Sequence, residues 1–363
     1  MKLTPGEIYF IRELDVHSGI ETPFIKIGLV REKKEDDRWS EDRAGEHQTG
    51  NPRKLFVDSV IKTTAVAEIE NILHYLHADD RVHGEWFEFS EEKFAQVKQI
   101  ARDLVETAAN NAENFRKAEA LGKHASSNEI LRPNQTMREW HQKFIKSDIR
   151  LNHCKSLQDA IKKIFVAELF VPEDPKEQIE RQEELSPFVK VQEKKMKSKF
   201  DVKAFAISRP DLYEEFSQIE ISKPKGSFLI QKLTNQDFPL SIIDPKLSEY
   251  SEQALSTIED FKLGKKTESD LHTVTLKLRG FEAKASWDKE IAKVNLQVFC
   301  GTNTGIEGIC KWNRKPQEKR IFDENAFLEA HPRIAANFMV SAKSGTSVVV
   351  EKKRAYPHYK KKK

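Results

Sequence analysis

The sequence predicts an α+β protein: a small domain with a three-stranded antiparallel sheet flanked by helices, followed by two duplicated α/β units rich in helix. Three observations lead there. Residues 6–90 alternate short β-prone runs with helical ones. Beyond residue 90, long stretches carry apolar residues at helical spacing. Finally, FDVKAFAISRPDLYEEF (200–216) aligns without a gap to FDENAFLEAHPRIAANF (322–338), sharing Phe, Asp, Ala, Phe, Pro and Phe at identical spacing.

The elements follow in order. GEIYFIREL and TPFIKIGLV read as two strands of a hairpin, turning through Ser18 and Gly19. A polar helix near 38–47, a third strand KLFVDSVIKT, the helix AVAEIENILHYLH and a short strand GEWFEF complete the unit. Ser90 caps a long helix with Glu91 and Glu92 in its first turn, and Phe94, Val97, Ile100, Ala101, Leu104, Val105 and Ala108 line its inner face. That helix ends a first domain of residues 1–121. The Gly, Ser, Asn and Pro of 122–135 make a linker. Thr136 with Glu139 forms a capping box opening a helix with Trp140, Phe144 and Ile149, and a second helix ends near Phe170.

Repeat unit 1 spans 136–235 and repeat unit 2 spans 268–353, joined by a connector at 236–267 and followed by a basic tail at 354–363. Each unit reads as a long helical element, a strand, a helix capped by Asp201 or Asp323, and a closing strand. Two copies allow a pseudo-two-fold pair, whereas a solenoid needs three or more.

Composition narrows the function. Hydrophobic residues are 38% of 363 and mean hydropathy is −0.64, polar but sufficient for real cores, which excludes wholesale disorder. No run approaches about 18 uncharged apolar residues and the N-terminus lacks a signal-peptide layout, so the expectation is a cytoplasmic protein with no membrane partner. Cys154, Cys300 and Cys310 form no CxxC pair, leaving neither a zinc ribbon nor a disulfide framework. Residues 351–363 carry seven Lys/Arg against one Glu, a local +6, so the rest of the +3 chain sums to −3. Such a tail is a solvated end or a phosphate anchor.

Several polar residues are not required by any core. Tyr9 lies in a strand between Ile8 and Phe10. Arg43 and His47, at i, i+4, share a helix face, and so do Glu70 and His74 on the next helix, a spacing compatible with metal binding that also arises by chance. Trp312, flanked by Lys311 and Arg314, reads either as core or as a base-stacking residue on a basic strand.

The ordered set G-E-I-Y-F, K-I-G, R-x-x-x-H-Q-T-G-N-P, E-x-x-L-H and G-E-W-F resembles the GIY-YIG endonuclease superfamily, and in particular its phage-type branch with KIG as second motif, often labelled a DNA-binding domain. The resemblance covers residues 6–90. It implies that Tyr9 activates water for attack on a phosphodiester, that Arg43 steadies the phosphorane charge, that Glu70 binds one divalent metal, Mg²⁺ or Mn²⁺, and that His47 takes part in proton transfer. The E-x-x-L-H spacing selects Glu70 over Glu68. Two departures stand out. The first motif has an extra residue, and Lys26 replaces the tyrosine of the second, where it would contact a phosphate, lower the pKa of Tyr9, or mark a domain that only binds DNA. GIEGICKWNR followed by the second FD segment more loosely resembles the C-terminal part of YqaJ-type phage recombinase exonucleases, which implies a phage or mobile-element setting.

The first expectation is therefore a metal-dependent DNA endonuclease, in phage defence or a related setting. Its further DNA contacts would be Lys311, Trp312 and Arg314, with Lys352, Lys353 and Arg354 of the tail. The alternatives are a non-catalytic DNA-binding protein, or a scaffold whose repeats form a homo-oligomer or bind a partner protein.

Overall fold

In the computed structural model, residues 3–32, 40–49, 51–168, 188–194, 198–232, 238–340 and 345–350 are described. The strands Gly6–Leu14 (β1) and Glu21–Arg31 (β2) form the expected antiparallel hairpin. Its turn is fixed by the Asp15 carboxylate, which accepts from the amides of His17 and Ser18, and by Gly19 at φ +69°. Helix α1 (Ser40–Gln48) leads into Lys54–Thr63 (β3), which pairs with the other edge of β1. Helix α2 (Val66–Leu76) follows.

The sheet has five strands, not three, in the order β3-β1-β2-β5-β4. Arg81–His83 (β4) and Trp86–Glu88 (β5) form a tight hairpin around Gly84, φ +56°, and β5 docks on β2. The strand expected at GEWFEF is β5. Its partner is only three residues long, too short to carry an alternating pattern.

Strand alternation divides the side chains between two faces. Ile8, Phe10, Ile25, Ile27 and Phe87 pack against Val66, Ile69 and Leu73 of α2 and against Phe94, Val97 and Ala101 of helix α3 (Glu91–Leu121). Tyr9 and Ile11 pack instead with Ala44, Leu55 and Trp86. Ser90 caps α3 as expected, its hydroxyl accepting from the Lys93 amide at 3.3 Å.

Past Ala108, α3 continues to Phe115 and Ala118, which share the same core with Trp287, Ile291 and Val294 of the Glu268–Cys300 helix. Asn295 donates to Asn111 and accepts from Asn114, both at 2.9 Å. Gly280 lets that helix cross the end of α2, since a methyl there would lie 3.0 Å from the Tyr75 carbonyl oxygen. The hydrophobic core is thus continuous across residue 121.

The expected linker 122–135 contributes a strand, Ile130–Leu131 (β6), parallel to Gly305–Ile306 (β11). Helix α4 (Gln135–Glu168) is one uninterrupted helix where two were expected. Its cap is Asn134, whose side chain accepts from the Met137 amide at 2.9 Å; Thr136 is already inside the first turn. Among the described residues, α4 packs along the Glu268–Cys300 helix, and the connector adds a second long helix, Pro245–Lys262, capped by Asp244.

The two FD segments fold alike and share one core. Asp201 and Asp323 cap Val202–Ser208 and Glu324–Ala330, each accepting from an amide at 3.0 Å. Phe205 and Phe327 are fully buried with ring centroids 4.4 Å apart. The strands flanking them are Val189–Lys194 (β7), Lys199–Phe200 (β8), Ser217–Ile221 (β9), Leu229–Ile230 (β10), Cys310–Lys311 (β12), Glu318–Phe322 (β13), Met339–Val340 (β14) and Gly345–Val350 (β15). β8 pairs with β14, β9 with β13, β7 with β15 and β10 with β12. The strand leading into each segment therefore pairs with the strand leaving the other, so neither unit is closed by its own strand. Two main-chain bonds repeat the exchange: the Asp201 amide donates to Phe338 at 2.9 Å and the Asp323 amide to Phe216 at 2.8 Å.

Candidate functional site

The site is built around the middle of β2. Tyr9 of β1 lies opposite Gly28, and a methyl group on Gly28 would overlap the phenol ring and its hydroxyl. The glycine of the K-I-G motif is therefore the space that the tyrosine occupies, and Tyr9 is 1% exposed. Lys26, two residues before Gly28, points to the same face and is buried, its ammonium paired with Glu85 from the β4–β5 hairpin.

Helix α1 crosses this face and brings Arg43 and His47 to it, one turn apart. Arg43 hydrogen-bonds Tyr9 and pairs with Glu46. The His47 Nε2 is buried and has no hydrogen-bond partner among the described residues. Helix α2 approaches from the other side, where His74 Nε2 bonds the Ile27 carbonyl at 2.9 Å and Glu70 sits one turn earlier. Glu68 lines a separate cleft of about 340 Å³ between α2 and the Glu268–Cys300 helix, with Arg279 and Trp287.

These groups act on one another electrostatically. Burial, reinforced by the Glu85 charge, raises the Glu70 carboxyl to about 7 against the pull of Lys26, Arg31 and Arg81. Tyr9 is raised by burial, with Arg43 opposing and Glu85 and Glu70 adding to the rise. His47 is lowered by burial and then by Lys26 and Arg43. His74 falls to about 4 through burial, so its ring is neutral and its Nε2–H donates to Ile27. Burial works against ionisation of Glu85, but its bond and charge pairing with Lys26, helped by His74 and Arg81, leave it below its ordinary value.

Tyr9, Lys26, Arg43, His47 and Glu70 are thus brought together. Sequence reasoning missed Glu85, although G-E-W-F was among the motifs. A glutamate beside a turn glycine carries no periodic signal; what assigns it is its pairing with Lys26 across the sheet. The expectation that Lys26 lowers the Tyr9 pKa gives way to Arg43, the cation that exerts that pull. Among the described residues no group of three His, Cys, Asp or Glu side chains could hold a metal by itself.

Two expected DNA contacts are overturned. Trp312 is 3% exposed, packed with Phe144, Leu296 and Ile306, and its indole N–H donates to the Gly226 carbonyl at 3.3 Å. Arg314 is fully buried over the Trp312 ring, donating to the carbonyls of Leu121, Gly301 and Asn303. Both side chains are consumed in holding the end of α3 to the strand. Lys311 is exposed. Lys352, Lys353 and Arg354 lie outside the described residues.

Residues 6–105 match the T5orf172 domain, a phage-type domain related to endonuclease families. The match contains the five-stranded sheet, α1, α2 and the first half of α3, and none of the FD segments. No curated protein and no solved structure matches the chain. No helix among the described residues is long and apolar enough to cross a membrane.

Proposed function

We propose that the protein is a DNA endonuclease of phage or mobile-element type, hydrolysing phosphodiester bonds at the Tyr9, Arg43, His47 and Glu70 cluster. The observation that carries this reading is the convergence of a buried tyrosine, an arginine bonded to it and a carboxylate whose field it feels. A fold that only grips DNA gains nothing from burying a tyrosine hydroxyl beside a half-buried arginine and carboxylate, because each polar group withdrawn from water costs free energy unless paired.

Glu70 fits a divalent cation. A partly buried carboxyl held near 7 beside Glu85 is short of positive charge, and a cation there would favour its ionised form. Mg²⁺ commonly takes one or two protein carboxylates and completes its shell with water and phosphate oxygens. When bound, it would supply Lewis-acid stabilisation of the leaving oxygen. Arg43 donates to the Tyr9 oxygen, which favours the phenolate and with it proton removal from a water molecule. The guanidinium also stabilises negative charge gathering on the phosphate. His47, neutral at pH 7 with a free Nε2, is positioned to pass a proton onward.

A second reading, a binding domain without cleavage, is favoured by two observations: burial holds the Tyr9 pKa up, and Lys26 is spent on Glu85. The two separate on incubation of plasmid and linear DNA with Mg²⁺ or Mn²⁺. Wild type should cut, and Tyr9→Phe, Arg43→Ala and Glu70→Ala should each lower the rate about 10²- to 10⁴-fold while gel-shift affinity is kept. A wild type that shifts DNA but cuts none with either metal sinks the nuclease reading. Cleavage that survives all three substitutions sinks the site assignment.

A further inference from the structure

One ribbon flanking the FD segments carries a charge pattern that the fold itself does not account for. Its strands run through 217–230 and 310–322, held by the β9–β13 and β10–β12 pairings and, between them, by a bridge between Lys225 and Lys315. The Ser222 amide donates to the Gln317 carbonyl at 2.9 Å within the same stretch. On the second strand, Lys311, Asn313, Lys315, Gln317 and Lys319 are all exposed, at every other position; of the residues between them Trp312 and Arg314 are buried, while Pro316 and Glu318 are exposed. The three lysines are four residues apart, roughly 13 Å at strand rise. The residues opposite are Leu229, Lys225 and Glu220.

Lys225 faces Lys315 directly across the strands, an arrangement that destabilises a ribbon. Among the described residues neither has a carboxylate within ion-pair distance, and neither does Lys311 or Lys319. Arg320, on the reverse face, does have one, pairing with Glu214 at 2.9 Å. One face thus keeps four ammonium groups with no ion-pair partner among the described residues, beside the hydrogen-bonding side chains Ser222, Ser227, Asn313 and Gln317 and one carboxylate, Glu220, opposite Lys319. That is the complement of a line of phosphates.

We propose that this face of the ribbon is a second DNA contact, holding the phosphate backbone of a duplex through Lys225, Lys311, Lys315 and Lys319. It rests on the reading of DNA as the ligand but not on cleavage. The contact is independent of base sequence, because all four groups are point charges on flexible stems.

The test uses the full chain with Lys225, Lys311, Lys315 and Lys319 changed together to Ala, beside a control in which the exposed Lys123, Lys155, Lys246 and Lys266 are changed instead. Affinity for a random-sequence duplex is measured from 50 to 200 mM salt. The ribbon variant should lose about 3 to 4 units of the log–log salt slope and bind weakly at 200 mM, while the control keeps the wild-type slope. Cleavage of saturating DNA at low salt should persist in the ribbon variant if the nuclease reading holds. Loss of cleavage in Tyr9→Phe with binding unchanged tests that reading separately. A ribbon variant with the wild-type slope, or a control that loses as much, overturns the proposal. So does a variant that loses binding to poly-aspartate but not to DNA, which would assign the face to an acidic protein.

Discussion

Glu70 carries a testable pH dependence. Its folded pKa of about 7 lies above the ordinary 4.5, so its contribution favours the folded state below about pH 4.5 and is lost as pH rises through 7. Glu70→Gln should therefore be as stable as wild type near pH 4.5 and more stable at pH 8, by up to about 3 kcal/mol. Urea unfolding of both proteins at the two pH values measures this, and an equal difference at both would show that the carboxyl is not penalised. His74 has the opposite sign: its depressed pKa of about 4 gives stability present above pH 6.5 and lost as pH falls through 4, in both proteins alike. At this scale the clustering of the candidate residues was largely legible, because Tyr9, Arg43, His47 and Glu70 belong to an ordered set of motifs. Arg314 was not. Neighbouring lysine and tryptophan suggested an outward basic strand, whereas its three carbonyl partners come from the end of α3 and the turn after residue 300, contacts that no local pattern encodes.

The caps of the FD helices belong to the scale of elements. Asp201→Ala and Asp323→Ala should each cost about 1 kcal/mol, and Asn at either position should recover most of it. Chemical denaturation of the four variants checks this; a change near zero for either alanine would make that cap idle. Such signals are short-range, which is why the sequence located Ser90, Asp201 and Asp323 correctly. Thr136 misled because a threonine followed by a glutamate at the right spacing satisfies the same pattern, while Asn134, two residues earlier, meets the helix first. β4 was invisible for another reason. Three residues, Arg-Val-His, become a strand only because Gly84 turns the chain and β2 offers an open edge.

Across the whole molecule, the first domain and the later helices share a core through Phe115 and Trp287, stacked at 6.2 Å. Trp287→Ala should cost about 3 to 5 kcal/mol, and faster amide exchange should appear in β1 as well as in the Glu268–Cys300 helix. Protection lost from the helix alone would mean that the sheet is stabilised independently. The sequence suggested a boundary at 122–135 because Gly, Ser, Asn and Pro mark irregular chain, and irregular chain is compatible with a tightly packed crossing as well as with a free linker. The exchange of strands between the FD segments also constrains how the chain is made. Phe200 leaves the ribosome 139 residues before Met339, its partner in the β8–β14 pair, an interval of roughly 7 to 28 s at ordinary rates of synthesis. During that time the phenylalanines of the first FD segment lack the side chains of the second that cover them, so the packing of one segment waits on the synthesis of the other.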